Sequence, residues 1–87
     1  MKRLLIRGAA TELFERIYVF NDENKIIESL GVRLEDLEET VFALLEKYSI
    51  TEINLSGALV YVRGIEEKLK TPKTATYSVD NLTFHYV

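Results

Sequence analysis

The stretch "NLSGA" places Ser56 and Gly57 where an alternating β pattern gives way to a helical one. The first amides of a helix have no partner inside it, so a serine hydroxyl and these N–H groups together can receive a phosphate or another anion. Ser56 and Gly57 are therefore the candidate anion-binding pair. A plain turn and helix cap explains the same residues and carries more weight. Neither G-x-x-x-x-G-K-[ST] nor G-x-G-x-x-G occurs in the chain. Ser56 with the single histidine, His85, raises hydrolase chemistry, but a nucleophilic serine needs a strained elbow and a base oriented by an acid. His85 falls inside a predicted strand, and no sequence feature sets it beside Ser56. The chain is not expected to be an enzyme, and no catalytic residue is assigned.

Composition narrows the remaining chemistry. The 87 residues contain no cysteine and one histidine, so thiolate and multi-histidine metal sites cannot be built. Glu35, Asp36, Glu38 and Glu39 crowd one predicted helix start, where negative charge complements the helix dipole. They do not follow the alternating ligand pattern of a calcium loop. No metal and no cofactor are expected. Fourteen acidic residues against eleven basic give a net charge of −3, which disfavours a broad nucleic-acid footprint. Lys2, Arg3, Arg7 and Arg16 nevertheless concentrate positive charge in the first sixteen residues. The opening "MKRLLIRG" has an apolar run too short for a signal peptide or a bilayer span. The expectation is a cytoplasmic protein with no membrane association, its 87 residues forming one compact α/β domain.

The elements that must position these residues follow from periodicity. Residues 2–7 read as a first strand, 13–20 as a second and 25–30 as a third, with the polar turn "NDEN" making the last two antiparallel neighbours. Residues 34–48 change to a helical period, with Leu34, Leu37, Val41, Leu44, Leu45 and Tyr48 forming one stripe. Residues 51–57 alternate again as a strand ended by Gly57. Residues 58–70 return to the helical period through Leu59, Val62, Ile65 and Leu69. Gly64, inside that helix, is read as a mark of close packing against the sheet. Pro72 ends the helix, and residues 83–87 form a last strand. Pattern alone does not decide whether residues 74–79, "TATYSV", add a further strand.

Right-handed crossovers through the two helices make strands one, four and five parallel neighbours. The expected sheet is mixed and five-stranded, of order 3-2-1-4-5, in a β-β-β-α-β-α-β chain. That arrangement resembles the ribonuclease H-like superfamily, which includes the halves of actin-like ATPases, at the level of topology. The resemblance implies carboxylates in the first strand and near the end of the fourth, holding two metal ions. "KRLLIRG" contains no acid, and "INLSG" puts Asn54 and Ser56 where one is wanted. Glu38 or Glu39 alone could not hold two magnesium ions. The phosphate-contacting hairpin of the actin-like proteins is matched by Gly8 and Thr11 in "RGAATELF", without the leading aspartate. The frame is expected without its chemistry.

A second sheet face then becomes the lead. In "ERIYVF", Ile17 and Val19 point to one side while Tyr18 and Phe20 point to the other. If both helices cover the first side, no predicted element remains for the second. That surface would show Leu5, Arg7, Arg16, Tyr18, Phe20, Glu52, Asn54, Thr83, His85 and Val87. Arg7, Arg16, Tyr18, Phe20, Glu52 and His85 are the expected interface residues. The aromatic pair supplies the anchor, and the charges supply a polar rim. The expected function is non-catalytic protein interaction or oligomerisation, as a homo-oligomer or with another protein. The alternative is a small nucleic-acid-associated protein with a degenerate ribonuclease H-like frame, stacking bases on Tyr18 and Phe20. A third account leaves the aromatics packed against one another and against arginine stems on a solvated sheet.

Overall fold

The computed structural model of the chain describes residues 2–8, 14–71 and 81–87. Its sheet contains β1 (Arg3–Arg7), β2 (Glu15–Phe20), β3 (Ile26–Val32), β4 (Glu52–Ser56) and β5 (Thr83–Tyr86). Helices α1 (Leu37–Tyr48) and α2 (Leu59–Lys70) form the connections around β4. The strand order is β3-β2-β1-β4-β5. β2 runs antiparallel to β1 and β3, while β1, β4 and β5 run parallel. This is the ribonuclease H-like topology expected from the strand and helix order. Residues 74–79, read above as an undecided strand, lie outside the described residues.

The β2–β3 hairpin turns on asparagine chemistry. Asn21 Oδ1 accepts hydrogen bonds from the backbone N–H groups of Glu23 and Lys25, at 2.9 and 3.0 Å. Asn24 adopts a left-handed φ of 63°, a conformation asparagine tolerates better than most residues. Beyond the turn, β3 continues two residues past the expected end, because Gly31 and Val32 still pair with Arg16 and Glu15. The register shifts next to the turn, so Val19 lies opposite Glu28 but Phe20 lies opposite Ile26. That is a β-bulge.

The core forms on one side of the sheet. Leu4, Ile6, Ile17, Val19, Ile53 and Leu55 are buried and join Val41, Leu44 and Leu45 of α1 and Val62, Ile65 and Leu69 of α2 in a single cluster. Strand pairing puts Leu4 opposite Val19 and Ile53, and Ile6 opposite Ile17 and Leu55. Period-2 alternation therefore assigns all six to the face that both helices cover.

Four helical readings change, the first being Leu59, which is exposed at the start of α2 and off the buried stripe of Val62, Ile65 and Leu69. Leu34 belongs to a 3₁₀ turn, Leu34–Asp36, ahead of α1, and is exposed instead of lying on the buried stripe. The tighter 3₁₀ winding rotates it off the α-helical face. Phe42 is buried as well, which widens the stripe beyond a narrow three-and-four spacing. Gly64 is exposed, and a methyl group there would meet nothing within 4 Å. It does not mark close packing against the sheet. α1 stops at Ser49, which takes a left-handed φ of 54° while Ile50 N–H bonds back to the Leu45 carbonyl at 2.9 Å. That geometry resembles a Schellman end with serine in the usual glycine position.

Candidate functional site

With both helices on one side, alternate residues of the three central strands are left on the other. Pairing fixes their positions as a small grid. At one end Arg16, Arg7 and Ser56 stand side by side on β2, β1 and β4. The middle row is Tyr18, Leu5 and Asn54, continued by His85 on β5. At the other end lie Phe20 and Arg3, followed by Glu52 two residues before Asn54 on β4. The parallel and antiparallel registers thus bring together all six expected interface residues on one surface.

Its apolar part is built around rings and a leucine. Tyr18 and Phe20 are tilted at 40° with ring centroids 6.5 Å apart. The Arg3 guanidinium lies 4.5 Å from the Phe20 ring centre and also donates to Asn24 Oδ1. A cation at this distance is held by the ring quadrupole. Leu5 and both rings are half-buried. Asn54 forms the polar floor: it is buried, and its side-chain amide donates to the Leu4 carbonyl at 3.5 Å.

The charged part is asymmetric. Arg7 and Arg16 face each other directly across β1 and β2. Both are exposed, and neither contacts a carboxylate among the described residues. Like charges directly opposite in a sheet repel. The diagonally opposite corner carries Glu52, whose carboxylate lies 2.9 Å from His85 Nε2. The open face therefore has a cationic corner and an anionic one.

Ser56 and Gly57 lie at the cationic end. The Ser56 carbonyl accepts from Gly8 N–H at 3.0 Å, and Gly57 takes a positive φ of 146°. Ala58 is the N-cap of α2 and makes no side-chain cap bond, so the Ser56 side chain is not the helix cap. Its neighbour on β1 is Arg7.

A second polar contact closes this end from the helix side. Tyr61, on the first turn of α2, donates its hydroxyl to buried Glu15 at the start of β2. Burial, followed by this carboxylate neighbour, raises the Tyr61 phenol well above its ordinary value. The ring lies across Gly8 so closely that a methyl group there has no room. Sequence reading missed Glu15 and Tyr61, and it did not single out the Arg3–Phe20 contact. The last was accessible, because the β1–β2 register puts those two residues opposite each other.

On the helix side, Leu34, Val60, Tyr61, Gly64, Ile65 and Lys68 line a shallow apolar hollow of about 280 Å³. Among the described residues no group of three or more histidines, aspartates or glutamates is placed to hold a metal ion. Also among them, no helix is long and apolar enough to cross a membrane.

The fold and this surface define a small compact α/β domain of ribonuclease H-like topology, with a second sheet face that neither helix covers. Compared with protein-family models, with curated proteins and with solved structures, the chain gives no match.

Proposed function

We propose that this chain is a non-catalytic protein-association domain acting through its open sheet face. The observation that carries this reading is the segregation of both helices to one side. It leaves Leu5, Tyr18 and Phe20 on the other, with Arg7 and Arg16 at one corner and Glu52 with His85 at the opposite one. Half-buried aromatic residues inside a charged rim have the composition of an interface centre and its border. The first strand contains no acid, and the end of β4 offers Asn54 and Ser56, so the carboxylate pair of the resembling nucleases has no counterpart at these positions.

One observation favours a second reading, a nucleic-acid-associated protein: Arg7 and Arg16 form an adjacent cation pair suited to phosphate. Two others weigh against it. Arg3 already occupies a face of the Phe20 ring, where a base would stack, and Glu52 repels a phosphate backbone on the same surface.

A photo-crosslinking residue at position 18, with exposed Ala43 of α1 as the control position, tests both readings in cells. A defined protein adduct at position 18 and none at 43 is the expected result. An adduct with nucleic acid alone selects the second reading, and the absence of any specific adduct at 18 overturns the first.

A further inference from the structure

We infer that the open face is self-complementary, and that its partner is a second copy of this chain crossing the first at nearly a right angle. This rests on the association reading above and adds the identity and orientation of the partner.

The inference comes from the layout of the face. Phe20, Leu5 and Ser56 lie on one diagonal, from the far end of β2 through the middle of β1 to the near end of β4. Arg16 and Glu52 lie at the two ends of the other diagonal. Two copies meeting face to face around a two-fold axis along the first diagonal exchange the ends of the second. Arg16 of each copy then falls opposite Glu52 of the other, twice per dimer. Tyr18 falls opposite Arg3 of the second copy, and Arg7 falls opposite its Asn54. Leu5 and Phe20, on the axis, meet their own equivalents.

Residue spacing permits this exchange. Residues two apart along a strand are separated by about 6.6 Å, and adjacent strands by about 4.8 Å. A 45° axis therefore superposes the Arg16 and Glu52 positions to within a few ångströms, inside the reach of these side chains. It also makes the strands of the two sheets cross near 90°, one of the two preferred sheet-on-sheet packings. A self-complementary patch is what closed two-fold symmetry requires. The cross-strand repulsion between Arg7 and Arg16 is relieved when Arg16 gains a carboxylate.

Five strands at this spacing give a face of about 24 by 17 Å, or about 400 Å² in projection. That is below the ~800 Å² per partner of a standard interface. Association is accordingly weak and concentration-dependent, with the monomer dominant in dilute solution.

Charge reversal tests the pairing. Arg16→Glu puts two carboxylates together at each contact, and Glu52→Arg puts two guanidinium groups there. Each single variant is expected to associate at least about tenfold more weakly than the parent chain by sedimentation equilibrium at concentrations up to about 1 mM. An equimolar mixture of the two variants restores attraction at both contacts and recovers the dimer, as does the double variant alone. Circular dichroism verifies folding. Should either reversal unfold the chain, Arg16→Gln and Glu52→Gln carry the test as a double-mutant cycle, with a coupling of fivefold or more expected in the dissociation constant. A parent chain that stays monomeric at 1 mM overturns the inference. So does a dimer whose strength ignores both reversals, or one that the mixture fails to restore. None of these outcomes removes a protein crosslink at position 18, so the broader association reading stands or falls separately.

Discussion

Tyr61 donates its hydroxyl to the Glu15 carboxylate, joining the first turn of α2 to the first residue of β2 across 46 positions of sequence. Glu15 is 8% exposed, so the tyrosine supplies what water provides to a carboxylate in the unfolded chain. Tyr61→Phe keeps the ring and removes the donor. A buried acceptor left without its partner costs about 1–3 kcal/mol, and that loss is expected in urea unfolding at neutral pH.

The same contact sets a response to alkali. Burial and the neighbouring carboxylate raise the Tyr61 phenol above its ordinary value of 10.0. The folded chain thus binds that proton more tightly than the unfolded chain. Its stabilisation is complete below about pH 10 and is lost as pH rises through the raised value. Unfolding free energy measured from pH 9 upward should fall more steeply for the parent chain than for Tyr61→Phe. Parallel slopes would exclude this role for the hydroxyl.

Two glycines should respond to the same substitution with opposite signs. Gly8→Ala drives a methyl group into the Tyr61 ring, and overpacking of this kind costs about 1–3 kcal/mol. Gly64→Ala meets open space within a helix and should stabilise by about 1 kcal/mol through helix propensity. Paired thermal melts of the two variants check both signs.

Acid sensitivity should involve Glu28 on β3. A hydrogen bond from the Tyr48 hydroxyl, assisted by Lys47 at 3.5 Å, holds its carboxyl below the ordinary value of 4.5. This contribution is present above that value and is lost as pH falls through the depressed one. Glu28→Gln should flatten the dependence of stability on pH below 4.5. The individual titration of Glu28, followed by carboxyl carbon NMR, should have a midpoint below that of a free glutamate.

Replacing Tyr18 and Phe20 together with alanine should leave a folded chain. Both rings are half-buried on the face opposite the core. Their mutual contact is worth about 0.5–1.5 kcal/mol beyond the area the rings bury, and the Arg3 contact about 0.5–2 kcal/mol. The variant should retain its far-ultraviolet circular dichroism and melt about 5–20 °C lower. Its association should drop far more than its stability.

The sheet was legible because its information is local and repeated. Ile17, Val19, Ile53 and Leu55 alternate with polar or aromatic neighbours, so strand direction and facing follow from period two. The short "NDEN" turn and right-handed crossovers leave one strand order. The grid of open-face residues inherits that clarity. The Gly8–Tyr61–Glu15 contact was not legible, because it joins three elements distant in sequence and depends on the height at which α2 begins. Gly64 misled for a related reason: a glycine in a helix has the same letter whether it faces a neighbour or solvent. Leu34 misled because a 3₁₀ start and an α start share one hydrophobic pattern until the winding is known.

The displaced register beside the hairpin has a further consequence for how the molecule lives among its own copies. Ile26 and Ile27 are exposed on a strand at the rim of the sheet, a combination suited to seeding fibrils. The extra residue of the bulge is Ile27 itself, on that rim strand opposite the Val19–Phe20 step, so an arriving strand meets an interrupted ladder where the greasiest pair lies. A straightened rim would turn the molecule into a template for its own polymerisation.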